Sequence, residues 1–144
     1  MKYIPNYHEC YVCGDANKNG LQYRFWVENN NVTTKIQGRR ELIGHGAIHG
    51  GIIAALLDEA MGLSATIKKN RLCVTAEFTV RYLKPLDIDG IYIVRGNLLA
   101  DKIILCETYG EIVDEDNNIL IRASGKYVPL SKEQSKKIHP DVFE

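Results

Sequence analysis

The sequence predicts an α+β domain, with one long helix packed on one antiparallel sheet of five to six strands. Three observations carry this. A single apolar stretch, Gly50 to Asn70, repeats at helical spacing. Two strand-like runs precede it and four follow, bounded by turn residues. No βαβ unit and no internal repeat breaks that order.

Residues 1–20 are polar and irregular and form an N-terminal segment carrying Cys10 and Cys13, ending at the turn Asn19-Gly20. A single domain is expected over 21–130. Leu21 to Val27 and Val32 to Gln37 read as strands, joined by a hairpin loop at Asn29-Asn30-Asn31. In the helix, Ile53, Leu56, Leu57, Ala60, Ser64 and Ile67 fall on one face. Lys68 and Lys69 suit its negative end. Val74, Ala76, Phe78, Val80 and Tyr82 then alternate with Thr75, Glu77, Thr79 and Arg81, a period of two. Pro85 ends that strand, and Asp89-Gly90 is a turn. Ile91 to Ala100, Ile103 to Val113 and Ile119 to Val128 complete the sheet. The charged tail, 131–144, is assigned no element.

A chain of 144 residues, 45% of them hydrophobic, suffices for one domain with a real core. Lys+Arg and Asp+Glu are 18 each, so nothing argues for a nucleic-acid surface. The longest apolar run reads as too short to cross a bilayer, and Met1 to Asn6 has no apolar leader. A cytoplasmic location and no membrane partner are the expectation. The four cysteines are then thiols or metal ligands rather than disulfides. His8, Cys10 and Cys13 supply three zinc-type ligands, but no second Cys-x-x-Cys completes a site. The reading is free thiols, with no metal and no cofactor.

The most informative stretch runs from His49 to Gly62. Gly50 and Gly51 open an apolar helix, where unpaired backbone N–H groups carry the positive end of the dipole. Glycine lets a carbonyl or oxyanion approach that backbone closely. Asp58 follows about two turns later, and an acid on an apolar helix is costly unless paired or used. Carbonyl polarisation plus a general base is the equipment for hydrolysing an activated acyl group.

Several stretches occur together: Gly46-Ala47-Ile48-His49-Gly50-Gly51, Leu57-Asp58-Glu59-Ala60-Met61-Gly62, Val74-Thr75-Ala76-Glu77 and Arg81-Tyr82-Leu83-Lys84-Pro85. With Cys10-x-x-Cys13-Gly14 and Asn19-Gly20-Leu21, they resemble the hot-dog fold, and within it the phenylacetate-pathway (PaaI-like) group of acyl-CoA thioesterases. The resemblance covers roughly residues 10–128. It implies a sheet wrapped around the helix and subunits joined edge to edge as a dimer or dimer of dimers. It also implies an active site between subunits and a coenzyme A thioester as substrate. Asp58 falls where the family has its catalytic carboxylate, and Gly50 and Gly51 where backbone N–H groups hold the thioester oxygen. Thr75 falls where relatives carry a water-positioning Ser or Thr. His45 is the nearest match to a polar residue, often Asn, that relatives have before His-Gly-Gly.

A thioester's leaving thiol has a pKa of roughly 8.5 and departs with little acid help. The demanding steps are activating water and stabilising the oxyanion. Asp58 can deprotonate water or attack directly to form a mixed anhydride; the residues leave both open. The acid is expected to face an amide pocket across a gap about one thioester wide. Glu59 is read as an exposed neighbour. His49 either shapes the loop or touches substrate, and Thr75 is either strand packing or a water holder. Arg81, Lys84 and Lys102 are candidates for the phosphates of coenzyme A. Two rivals remain: a non-catalytic acyl-CoA binding or regulatory module on the same fold, and an acyl-thioester dehydratase, which wants an Asp–His pair.

Overall fold

The computed structural model describes residues 2–143. A helix of twenty residues, α1 (Gly50–Lys69), lies in the wrap of one six-stranded antiparallel sheet. The strands are β1 (Trp26–Glu28), β2 (Asn31–Gln37), β3 (Cys73–Tyr82), β4 (Ile91–Asp101), β5 (Cys106–Val113) and β6 (Ile119–Pro129). Their order across the sheet is β1-β2-β4-β5-β6-β3, so β3 is a long edge strand. A short 3-10 turn spans Arg40–Leu42, and α2 covers Lys132–Ile138.

α1 forms because its apolar residues recur on one side. Ile53, Leu56, Leu57, Ala60, Met61, Ser64 and Ala65 are buried against the sheet. Ile67, expected on that face, is exposed, since the stripe drifts round the helix by its last turn. Asn70 ends α1 in the left-handed conformation, with φ 51°. By length and composition alone α1 is apolar enough to cross a bilayer, contrary to the expectation from run lengths. Here the sheet takes its apolar face. The closest approach is at Gly96 of β4, where a Cβ would lie 2.6 Å from the backbone carbon of Ala60.

Several strand boundaries differ from the sequence reading. Residues 21–25 pair with the N-terminal segment, through Leu21 N–H to Tyr11 C=O and Tyr23 N–H to Val12 C=O, so β1 begins only at Trp26. Asn29 and Asn30, both at positive φ, make a two-residue hairpin turn. β5 begins at Cys106, leaving Ile103 and Ile104 exposed in the preceding loop.

A β-bulge in β3 places the site. Thr75 pairs with Tyr127 and Glu77 with Lys126, so Ala76 is the extra residue. The bulge breaks the even alternation expected from the sequence. Thr75 and, beyond the bulge, Tyr82 hydrogen-bond to α1, and Phe78 and Val80 pack on the core. The tail also gains an element: Ser131 and Gln134 form a capping box that starts α2. Buried Ser135 accepts from Leu72 N–H at 2.8 Å, tying α2 to the turn before β3.

Candidate active site

α1 holds Asp58 against the paired strands β3 and β6. Its Oδ1 accepts the Thr75 hydroxyl at 2.7 Å and the Tyr127 hydroxyl at 2.7 Å. The Tyr127 hydroxyl also lies 3.3 Å from the Asp58 carbonyl. Hydrogen bonds to a charged group contribute about 1.5–3 kcal/mol each. Both donors use one oxygen; among the described residues Oδ2 has no protein donor. Asp58, Thr75 and Tyr127 line a cavity of about 450 Å³ together with Thr66, Leu72 and Cys73. Burial, and then Asp58, push the Tyr127 hydroxyl well above the usual tyrosine range, so it stays a donor.

The sequence reading missed Tyr127. In a strand with alternating apolar positions it reads as one more core side chain. Only the register opposite Thr75 brings the two hydroxyls together on one carboxylate.

At the helix start, His49 is the N-cap, and its Nδ1 accepts the Gly51 N–H at 2.9 Å. Gly50 N–H has no acceptor among the described residues. The Tyr82 hydroxyl donates to the Gly50 carbonyl at 2.6 Å, anchoring this turn to β3. His49, Gly50 and Gly51 are all exposed. Seven residues separate Gly51 from Asp58, which at the helical rise is about 10 Å. Within one chain the acid and the amides are therefore too far apart to flank a single thioester.

The other candidates lie apart from Asp58. His45 is exposed in a turn closed by Gly44 N–H to Ala47 C=O at 2.7 Å. Arg81 pairs across the ladder with Arg122 and, with Tyr109, lines a surface cavity on the opposite face of the sheet from Thr75. Lys84 is exposed after β3. Lys102 lies 3.3 Å from Glu107.

Glu59 differs most from its expectation. It is partly buried, and its Oε2 lies 3.1 Å from Cys10 Sγ. Burial, with Cys10 close by, raises its carboxyl well above the usual glutamate range. It lines both the cavity beside Asp58 and an adjoining apolar one.

Residues 45–120 match the family model described as Thioesterase superfamily, more than half of the chain. The chain belongs to the thioesterase superfamily. Its sheet and long helix are the hot-dog fold of that superfamily. Solved structures agree on the fold. A zebra fish thioesterase superfamily member 2 is 12% identical with a TM-score of 0.71, covering 80% of this chain and 90% of its own. A Streptococcus mutans protein bound to acetyl CoA is 18% identical with a TM-score of 0.69, covering 76% and 89%. A hypothetical thioesterase of Streptococcus pneumoniae with coenzyme A is 19% identical, also with a TM-score of 0.69, covering 76% and 89%. No curated protein sequence matches the chain.

Proposed function

We propose that this superfamily member hydrolyses an acyl-CoA thioester to the free acid and coenzyme A, with Asp58 as general base. The observation that carries the reading is the Asp58 carboxylate: Oδ1 is pinned by Thr75 and Tyr127, and among the described residues Oδ2 has no protein donor. A fixed carboxylate with one free oxygen on a cavity suits a water held for proton removal. The acetyl CoA and the coenzyme A bound in the two streptococcal structures support that ligand class. The His49-Gly50-Gly51 and Asp58 stretches support the phenylacetate-pathway group within it.

In the reaction, Oδ2 takes a proton from water as the oxygen attacks the thioester carbonyl carbon. The carbonyl oxygen becomes an oxyanion, which backbone N–H groups stabilise. Collapse of the tetrahedral intermediate breaks the carbon–sulfur bond. The thiolate of coenzyme A leaves, and the proton on Asp58 passes to it or to solvent. Gly50 N–H, with no acceptor among the described residues, suits the oxyanion better than Gly51 N–H, which His49 engages.

The separation along α1 favours a site shared between subunits, with Asp58, Thr75 and Tyr127 from one and the helix start from another. The free edge of β3, with Val74 and Tyr82 exposed, suits pairing with a second copy. A dehydratase is less well supported, because among the described residues the acid's side-chain partners are two hydroxyls and no histidine.

The test is turnover of a panel of acyl-CoAs of varied chain length and aromatic character, following free coenzyme A thiol. Release above the uncatalysed rate with at least one member is expected. No release from any member would overturn the reading.

A further inference from the structure

Outside the hydrolytic site, three metal-ligating side chains meet. Cys10 and Cys13 come from the N-terminal segment and Glu59 from α1, and their ligand atoms all lie within 4.8 Å of one another. We propose that Cys10, Cys13 and Glu59 form a binding site for a zinc-class divalent cation. This goes beyond the proposed hydrolysis and does not depend on it.

The geometry fits the cation. A tetrahedral zinc with sulfur ligands at about 2.3 Å and a carboxylate oxygen at about 2.0 Å holds those atoms roughly 3.5–3.8 Å apart. Cys10 Sγ and Glu59 Oε2 are already at 3.1 Å, so binding needs only small side-chain rotations. The cysteines are held by a compact turn. Gly14 N–H donates to Cys10 C=O at 2.8 Å, and a Cβ at Gly14 would lie 2.4 Å from the His8 carbonyl oxygen. That crowding leaves no room for a side chain at this position.

The donor set selects the metal class. Two sulfurs with one carboxylate suit zinc, whereas magnesium and calcium want oxygen ligands throughout. His8, the third ligand suggested by the sequence, instead contacts Asp15 at 2.6 Å. Glu59 takes its place, brought from a helix 49 positions along the chain. Among the described residues no fourth ligand joins the trio, so the fourth position is open to a ligand from the adjoining cavity of about 340 Å³, also lined by Tyr7, Leu63 and His139. Binding would release the thiol protons and any carboxyl proton to solvent. The bound ion would clip the N-terminal segment to the turn of α1 that carries Asp58.

The probe is cobalt(II) alone, titrated into the reduced, metal-stripped full chain under a non-thiol reductant. One equivalent should bind, with a sulfur-to-cobalt charge-transfer band and the intense visible bands of a tetrahedral site, and zinc should bleach both. Cys13→Ser should remove the charge-transfer contribution of that sulfur and weaken binding at least tenfold. Glu59→Gln should keep the sulfur band and weaken binding at least tenfold, while Cys106→Ala should bind as the parent does. Zinc should also raise the Tm of the parent chain. No cobalt bands in the parent chain, which needs no variant to fold, would overturn the site. An unchanged cobalt affinity in Glu59→Gln would overturn the trio.

Discussion

A shared site makes a quantitative prediction about mixed oligomers. Gly50→Pro deletes the free N–H at the helix start without removing the helix. Gly50 is the first helical residue, where proline is well tolerated. His49 before it has φ −56° and ψ 131°, the conformation that a residue preceding proline prefers. Loss of one oxyanion donor costs about 10²–10³ in kcat. Asp58→Asn removes the proposed base at the other end of the chemistry and should cost about a hundredfold or more. Each variant alone is then nearly silent. In a mixed dimer, one of the two sites takes Asp58 from the Gly50→Pro chain and an intact helix start from the Asp58→Asn chain. Random pairing puts half the dimers in that state, each with one working site, so about a quarter of the parent activity should return. The assay is coenzyme A release after co-refolding equal amounts of the two variants, with each variant alone as control. Mixtures no more active than the variants would refute a site divided between chains.

Three further outcomes follow from contacts in the structure. Tyr127→Phe keeps the buried ring but removes one of the two donors that position Asp58. A hydrogen bond to a charged group contributes about 1.5–3 kcal/mol to stability, so Tm should fall by several degrees along with kcat; an unchanged kcat would contradict the role given to that hydroxyl. Gly96→Ala should lower Tm by about 3–10 °C in a thermal melt, because its Cβ meets the Ala60 backbone at 2.6 Å and must push α1 off β4. Lys69 Nζ lies 2.7 Å from Asp101 Oδ1 and holds that carboxyl below the usual aspartate value of 3.8. A lowered folded-state pKa stabilises above the unfolded value and is lost as pH falls through the folded one. The stability gap between the parent and Asp101→Asn, followed by urea melts, should therefore be constant near neutral pH and close below pH 3.8.

Much of the fold was legible because apolar residues keep their periods. The helix from Gly50 and the run of strands after Cys73 follow directly from spacings of 3.6 and 2.0. Asp58 and Thr75 were both visible as candidates, the one as an acid on an apolar helix, the other by resemblance. What stayed hidden depended on pairing between distant segments. The bulge at Ala76 changes which face Thr75 presents, and no local property of Val74-Thr75-Ala76-Glu77 announces it. Tyr127 joins the site only through register. Glu59 looked exposed because it is charged and adjoins Asp58, yet its partner Cys10 is remote in sequence. α2 had a local signal, Ser131 with Gln134 three residues on, that the charged composition of the tail obscured. The opposite error arose at Gly51, whose amide looked free until the N-cap side chain of His49 was seen to occupy it.

The central claim is that Asp58 activates the attacking water. The most direct measurement is steady-state turnover of Asp58→Asn on the best acyl-CoA of the panel, beside a direct binding measurement with coenzyme A. The substitution keeps an oxygen for Thr75 and Tyr127 but removes the basic charge. A kcat lower by about a hundredfold or more, with coenzyme A still bound, is the predicted result. Parent-level turnover in that variant would contradict it.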